Sequence, residues 1–349
     1  MRCSAAEHES AGILGFAPPS DGTPGVGALP HAQAPFGDTV SPPRVVAICL
    51  ALSMLIALSQ ASGSDGSVPT QTRHGATTSP GCTNPDPGLV ATSAAHTITV
   101  DGELHQYLLA APKRDAKRPR PLVMEFHGFG TTANQFAELT GMTRSGPRQG
   151  FIVVTPQGPG STWQLSGRGS DARYIDALLA RVEESLCVDL LRVYAMGFSQ
   201  GAAFTILYAC AHPRQFAAIS TVAVEFDLGC TDPLSITAFH GTSDPAVPYQ
   251  NGATGLSLPG VKVRGTILNM GDWAHLDGCG AGPRTVWLGT DVKRSTWPRC
   301  SKGNEVVLYT VVAGGHTWPG SDRKDSVMYT TETVSATNLA LSFFGRHDR

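Results

Sequence analysis

From about residue 95 onward the chain alternates apolar runs with stretches of helical periodicity. His96-Thr97-Ile98-Thr99-Val100 alternates polar and apolar side chains, reverses at Asp101-Gly102 and continues from Glu103 to Leu109. That is the pattern of a β-hairpin closed by an Asp-Gly turn. Pro121 to Phe126 is a short apolar run of buried-strand character that ends on His127-Gly128-Phe129-Gly130. Further strands are predicted over Phe151–Thr155, Arg192–Met196, Phe216–Val222, Leu234–Phe239 and Val306–Val312. Between Asp171 and Leu186, Ile175, Leu178, Leu179, Val182 and Leu186 recur at helical spacing, and helices are also predicted over Gln200–Ala211 and Val334–Phe344. Apolar strands alternating with amphipathic helices imply an α/β fold: a mostly parallel sheet with helices on both faces. No internal repeat interrupts the pattern, so residues 95–346 are expected to form a single catalytic domain.

Upstream the pattern differs. Val45 to Ala57 is apolar, preceded by Arg44 and followed by Ser59-Gln60-Ala61. A bilayer span takes about 20 apolar residues, and this run is shorter. A positive end, a short apolar stretch and small residues at a cleavage point are the layout of a secretory signal. Residues 1–61 are therefore expected to be an N-terminal extension plus signal peptide, cleaved after Ala61. The residues before Arg44 are rich in Gly, Pro and Ala without periodicity. A start at Val40 would leave a compact signal of ordinary form. A single-pass anchor is the rival reading, disfavoured by the length of the run, so no stable membrane anchor is expected after cleavage. Residues 62–94, mostly Ser, Gly, Thr and Pro at the start, are expected to be a flexible linker, too poor in apolar groups to offset the entropy of ordering.

A formal charge of -2 gives no reason to expect a nucleic acid or an anionic surface as partner. The basic cluster Lys113, Arg114, Lys117, Arg118 and Arg120 is interleaved with prolines and reads as a solvated loop. Eight cysteines are many for a cytosolic enzyme, and they lack zinc-site spacing. Together with the signal they point to an oxidising, extracellular or periplasmic compartment. No His-Glu-x-x-His motif or carboxylate cluster points to a metal, and no cofactor is expected.

The chemistry is concentrated in Gly197-Phe198-Ser199-Gln200-Gly201, between a predicted strand and a predicted helix. In a nucleophile elbow of this kind the serine stands on a sharp strained turn, and the flanking positions must be glycine so that neighbouring backbone can approach. A serine hydroxyl needs a base, and in this arrangement the chain order is serine, acid, histidine. Three histidines follow at a useful distance. His275 lies in a helical-looking stretch and His347 in the C-terminal tail, expected to be too mobile. His316, in Gly314-Gly315-His316-Thr317-Trp318-Pro319-Gly320, directly follows a strand. Among the carboxylates, Asp227 and Asp232 precede a strand and Asp277 and Asp291 fall in irregular segments. Asp244 follows the Leu234–Phe239 strand and shares a sheet edge with Ser199 and His316. The expected triad is Ser199, Asp244 and His316. The expected oxyanion hole is the backbone N–H of Gln200 with that of Phe129, and His127 reads as a packing residue beneath that loop.

Residues 95–346 resemble the secreted feruloyl esterase and polyhydroxybutyrate-depolymerase-like esterases of the α/β-hydrolase type. The resemblance is carried by Leu122 to Gly128, Asp171 to Ile175, Cys187-Val188-Asp189 before Arg192-Val193-Tyr194, and the Ser199 pentapeptide. It continues through Phe239 to Asp244, His316 to Gly320, and Ala336-Thr337 before Phe343-Phe344. The resemblance implies the same triad and a small-molecule or polysaccharide-linked ester as substrate: feruloyl, acetyl or short hydroxyalkanoate. One departure is Ala202, where such esterases often carry a second glycine. A peptidase or thioesterase on the same fold is one alternative; a non-catalytic binding protein is another, against which stands an intact triad. Trp318 and Trp163 either line the acyl pocket or pack in the core. Cys279 with Cys300, Cys210 with Cys230 and Cys82 with Cys187 would make three bridges, although connectivity is not fixed by sequence.

Overall fold

The computed structural model describes residues 76–89, 94–112, 117–226, 229–252, 264–323 and 327–349. The apolar run 45–57, the Val40 start, the cleavage site, Lys113, Arg114 and Asp227 lie outside these residues.

The described residues form ten strands: β1 (Ala94–Val100), β2 (Glu103–Ala110), β3 (Arg120–Phe126), β4 (Ile152–Pro156), β5 (Val188–Phe198), β6 (Ala218–Val222), β7 (Ser235–Gly241), β8 (Arg284–Leu288), β9 (Val292–Trp297) and β10 (Val306–Val311). They form one sheet in the order β1-β2-β4-β3-β5-β6-β7-β10-β9-β8. The block from β4 to β10 is parallel, and antiparallel hairpins extend it at both edges. The first hairpin turns at Asp101 and Gly102, both with positive φ (52° and 82°), as an Asp-Gly turn requires.

Successive side chains of the central strands point to opposite faces, and each face has its own core. Leu122, Met124, Phe126, Val193 and Ala195 face α3 (Ser170–Ser185), α4 (Gln200–Ala211) and α5 (Thr266–Leu276). Val123, Tyr194, Met196 and Phe239 face α1 (Ala133–Thr140), α2 (Met142–Arg148) and α6 (Ala336–Phe344). The buried stripe of α3 includes the apolar positions read from the sequence: Ile175, Leu178, Leu179 and Val182. This is the α/β-hydrolase arrangement, as the alternation predicts.

Several elements depart from the sequence reading. The flexible linker does not extend over 76–89: Ser79 is buried, its hydroxyl donates to Leu186 O at 2.7 Å and accepts from Val188 N at 2.8 Å, and Cys82 is bonded to Cys187. Hydrogen bonds to the edge of α3 and β5, the Cys82–Cys187 bridge and the burial of Leu89 in the core order this stretch. The segment around Asp291, irregular in the sequence reading, is instead the β8–β9 hairpin between Cys279 and Cys300. It carries Trp287, 55% exposed under the Lys293 ammonium. Helices α1 and α2 were not predicted, although Thr132 and Gln135 form a capping box at the start of α1. The three disulfides pair as anticipated, Cys82–Cys187, Cys210–Cys230 and Cys279–Cys300. Such bonds persist in oxidising compartments.

Glu125, on β3, is fully buried, with hydroxyl donors from Thr155 and Thr140. Burial pushes its pKa up to about 7, and the two hydroxyls offset only part of that. A carboxyl whose folded pKa lies above its unfolded value contributes stability that is complete below about pH 4.5 and lost as pH rises through 7. Between pH 5 and 8 this group alone is expected to cost about 2–3 kcal/mol. Glu125→Gln should therefore gain on the wild type by that amount across this range in urea titrations. Asp277, also buried and raised to about 7, leaves a residual slope in both proteins.

Candidate active site

The carboxyl ends of β5, β7 and β10 meet at one edge of the sheet. Ser199 lies between β5 and α4 with φ 55° and ψ −121°, left-handed strain that costs a non-glycine residue about 1–3 kcal/mol. Its N–H is tied to Val222 O at 2.9 Å, which fixes the turn against β6. Gly201 is required by close approach: a Cβ there would run into the carbonyl oxygens of Phe126 and His127. The turn thus lies directly against the end of β3, where the loop to Phe129 begins. Ala202 is fully buried in the core that faces α4, so its methyl packs where a second glycine would leave space.

Asp244 and His316 come from adjacent loops held together by backbone. Ser243 N donates to Gly314 O at 2.8 Å and Thr242 N to Val311 O at 2.9 Å. A Cβ on Gly241 would collide with the Gly314 carbonyl, so only glycine lets the two loops touch. Within this frame His316 Nδ1 lies 2.8 Å from Asp244 Oδ2. Asp244 Oδ1 accepts from the N–H groups of Ala246 (2.8 Å) and Val247 (2.9 Å). Burial alone would raise the Asp244 pKa. The close approach of His240, hydrogen bonds from His316 and Val247 N–H, and the charge of His316 outweigh it and hold the carboxyl well below the usual range. Asp244 is therefore an anion whose free lone pairs point at the imidazole.

His316 is partly exposed, its ring 4.7 Å from that of Phe198, the residue before the serine. The Ser199 hydroxyl makes no hydrogen bond to His316 in this structure. Such bonds are commonly long in free enzymes and tighten around substrate.

The loop after β3 supplies the other half of the site. His127 is fully buried: Gly158 N donates to its Nε2 at 2.9 Å, so Nδ1 bears the hydrogen and donates to Gly128 O at 2.8 Å. Burial lowers its pKa, which keeps this neutral tautomer. A packing residue in the sequence reading, His127 also braces the glycine in front of Phe129. Phe129 itself is 74% exposed, and neither its N–H nor that of Gln200 bonds an acceptor among the described residues. The Gln200 side chain is tied back, accepting from Thr162 Oγ1 at 2.9 Å and Trp163 N at 3.1 Å.

The two tryptophans part company. Trp163, 2% exposed, stacks on Phe204 and donates its Nε1–H to His127 O at 2.9 Å, so it supports the loop after β3 from the core and does not line the groove beside His316. Trp318 is also almost wholly buried, its Nε1 bonded to Thr337, yet it borders this groove of about 320 Å³. Gln135, Leu139, Phe198 and Arg323 line that groove too.

The remaining candidates lie elsewhere. His275 is exposed on α5. His347 is not mobile: it is buried, and its carbonyl accepts from Tyr194 OH at 2.6 Å. The neighbouring Arg349 N bonds Leu191 O near the start of β5, whereas Ser199 follows its end. Asp277 is a buried structural acceptor for Leu234 N–H. Asp291 sits in the β8–β9 turn, bonded to Tyr329 and Thr333.

No family model matches the sequence. Curated relatives do. A putative esterase, NocK, of Nocardia uniformis is 28% identical over 280 residues, 72% of this chain and 80% of that protein. A probable feruloyl esterase C of Aspergillus clavatus is 30% identical over 237 residues, 63% of this chain and 80% of that protein. Feruloyl esterase C of Emericella nidulans is 30% identical over 192 residues, 52% of this chain and 67% of that protein. Among solved structures, an acetyl xylan esterase from Aspergillus awamori superposes with a TM-score of 0.52 at 17% identity, over 72% of this chain and 99% of that one, a likeness of fold. With a sheet of this topology and relatives at this identity and coverage, the chain belongs to the feruloyl esterase C family of α/β-hydrolases and is a carboxylic-ester hydrolase.

Proposed function

We propose that the protein is a secreted serine esterase that releases aromatic acyl groups of the feruloyl kind through an acyl-enzyme. The observation that carries this reading is Ser199, held at positive φ on the turn between β5 and α4, at the sheet edge that bears the Asp244–His316 pair. His316 Nε2 takes the hydroxyl proton as Oγ attacks the ester carbonyl. Asp244 fixes the hydrogen on Nδ1 and stabilises the imidazolium. Charge then grows on the carbonyl oxygen, where the N–H groups of Gln200 and Phe129 receive it. Collapse expels the alcohol, protonated by His316, and water repeats the sequence to free the acid.

The groove beside His316 supports an aromatic acyl group: Phe198 and the edge of Trp318 form an apolar wall, with Gln135 and Arg323 as polar groups. The names of the curated relatives support the same acyl class. Three disulfides and the N-terminal apolar run support export. A panel of methyl ferulate, acetylated xylan, hydroxybutyrate oligomers and short p-nitrophenyl esters tests the acyl assignment. Methyl ferulate is expected to have the highest kcat/KM among the unactivated esters. A preference for hydroxybutyrate oligomers would overturn the aromatic acyl group while leaving the serine chemistry intact.

A further inference from the structure

Behind Asp244 lies a buried ionic chain that the acyl-transfer steps do not use. His240, on β7, is 1% exposed, and acceptors occupy both of its ring nitrogens. Nδ1 stands 2.8 Å from Glu225 Oε2, and Nε2 stands 2.8 Å from the Val247 carbonyl oxygen. A carbonyl oxygen only accepts, so Nε2 bears a hydrogen. Nδ1 also stands 3.0 Å from Thr266 Oγ1, and against an ionised Glu225 carboxylate, which only accepts, it bears the second hydrogen and the ring is an imidazolium. Burial works against that charge, but the Glu225 charge, the nearby Asp244 carboxylate and the hydrogen bonds to Glu225 and Val247 prevail and push its pKa up to about 10.

This cation touches the catalytic acid. His240 Nε2 is 3.6 Å from Asp244 Oδ2, the same oxygen that meets His316 Nδ1 at 2.8 Å. Val247 links the two groups again, since its carbonyl accepts from His240 while its N–H donates to Asp244 Oδ1. Helix α5 holds the far end: Asn269 Nδ2 donates to Glu225 Oε1 at 3.0 Å, and Trp273 Nε1 donates to the Glu225 carbonyl at 2.9 Å.

We propose that His240, anchored by Glu225, is a positioning residue for ester hydrolysis: a fixed cation that aims Asp244 Oδ2 at His316 and tempers the negative charge His316 faces. The proposal rests on the serine-esterase reading. The titratable and charged groups facing His240 are Glu225 after β6, Asp244 after β7 and the Tyr249 ring; α5 presents the neutral Thr266 and Asn269. His316 faces Asp244, with Arg323 bordering the same groove.

The test combines NMR of ¹⁵N-histidine-labelled protein with steady-state kinetics. In the wild type, both ring nitrogens of His240 are expected to be protonated at pH 8, and a neutral ring there overturns the proposal. In His240→Gln, kcat is expected to fall about 10- to 100-fold with KM within about threefold, because an acid swung by less than an ångström spoils the transition state more than binding. The acid limb of kcat/KM should move up by about one pH unit, since the lost cation lies nearer His316 than the Glu225 charge behind it. Glu225→Gln/His240→Gln leaves no unpaired buried carboxylate and carries the test if the single variant does not fold, with the same directions expected. A folded variant with unchanged kcat and acid limb overturns the proposal. The His316 ring titration, followed by NMR, moves the same way whether or not Ser199 is the nucleophile, so a failed serine mechanism and a failed positioning role give different results.

Discussion

Ser199→Ala is expected to lower kcat/KM for methyl ferulate by about 10⁵-fold, close to 7 kcal/mol of transition-state stabilisation. The fold should survive. Alanine fits the space, the Ser199 N–H bond to Val222 O is a backbone bond that the substitution keeps, and no side-chain cap is lost at the start of α4. Melting temperature should change little, because the strain at φ 55° belongs to the backbone and is common to both residues. A residual rate above water is expected from the Gln200 and Phe129 N–H groups, which still face the carbonyl oxygen. A fluorophosphonate probe should label the wild type at Ser199 and leave the variant unlabelled. Turnover within about tenfold of the wild type would sink the mechanism.

Asp244→Asn is the second large effect, a loss of about 10⁴-fold in kcat/KM. The geometry explains why a one-atom change is so damaging. Oδ1 of asparagine can keep the N–H donors of Ala246 and Val247, so the loop holds its shape. The amide nitrogen then replaces Oδ2, placing a donor against His316 Nδ1 and beside the His240 cation. His316 can satisfy that donor only by moving its own hydrogen to Nε2, where it can no longer accept the serine proton. KM should stay within a few-fold, and the Nδ1–H resonance of His316 should vanish from the proton spectrum. A loss smaller than about tenfold would mean that another group orients the base.

The strained turn at Ser199 was legible in the chain because most of what it requires is local. A strained serine needs small neighbours: Gly197 makes room for the backbone of Gly201 and Ala202 inside the turn itself, and Gly201 for the Phe126 and His127 carbonyls at the end of β3. Asp244 and His316 were legible at one remove, since each directly follows an apolar strand and parallel strands place their carboxyl ends together. The hairpin at Asp101-Gly102 follows from turn chemistry and helix α3 from its periodicity in the same way. Helices α1 and α2 were missed because they are short, and α2 carries both Gly146 and Pro147, which mask helical periodicity. Strands β8 and β9 escaped because they form an exposed outer hairpin, where the pattern of apolar burial is weak. Segment 76–89 read as a linker because bonds to Leu186 and Val188, over a hundred positions away, order it.

The sequence by itself determined the α/β class, the order Ser199, Asp244, His316, and the glycines without which the elbow could not close. Those are properties of local sterics and of hydrophobic period, and neighbouring residues carry them. Only the tertiary structure decided which side chains share a charge. Glu225, His240 and Asp244 come from a loop after β6, from β7 and from the turn beyond it, and their coupling depends on distances of 2.8 and 3.6 Å that no spacing encodes. The tertiary structure likewise put Trp163 in the core, pinned His347 near the start of β5 and set Trp318 at the edge of the groove. Burial is a property of the whole packed chain: an aromatic residue in a loop reads the same in sequence whether it meets substrate or another ring.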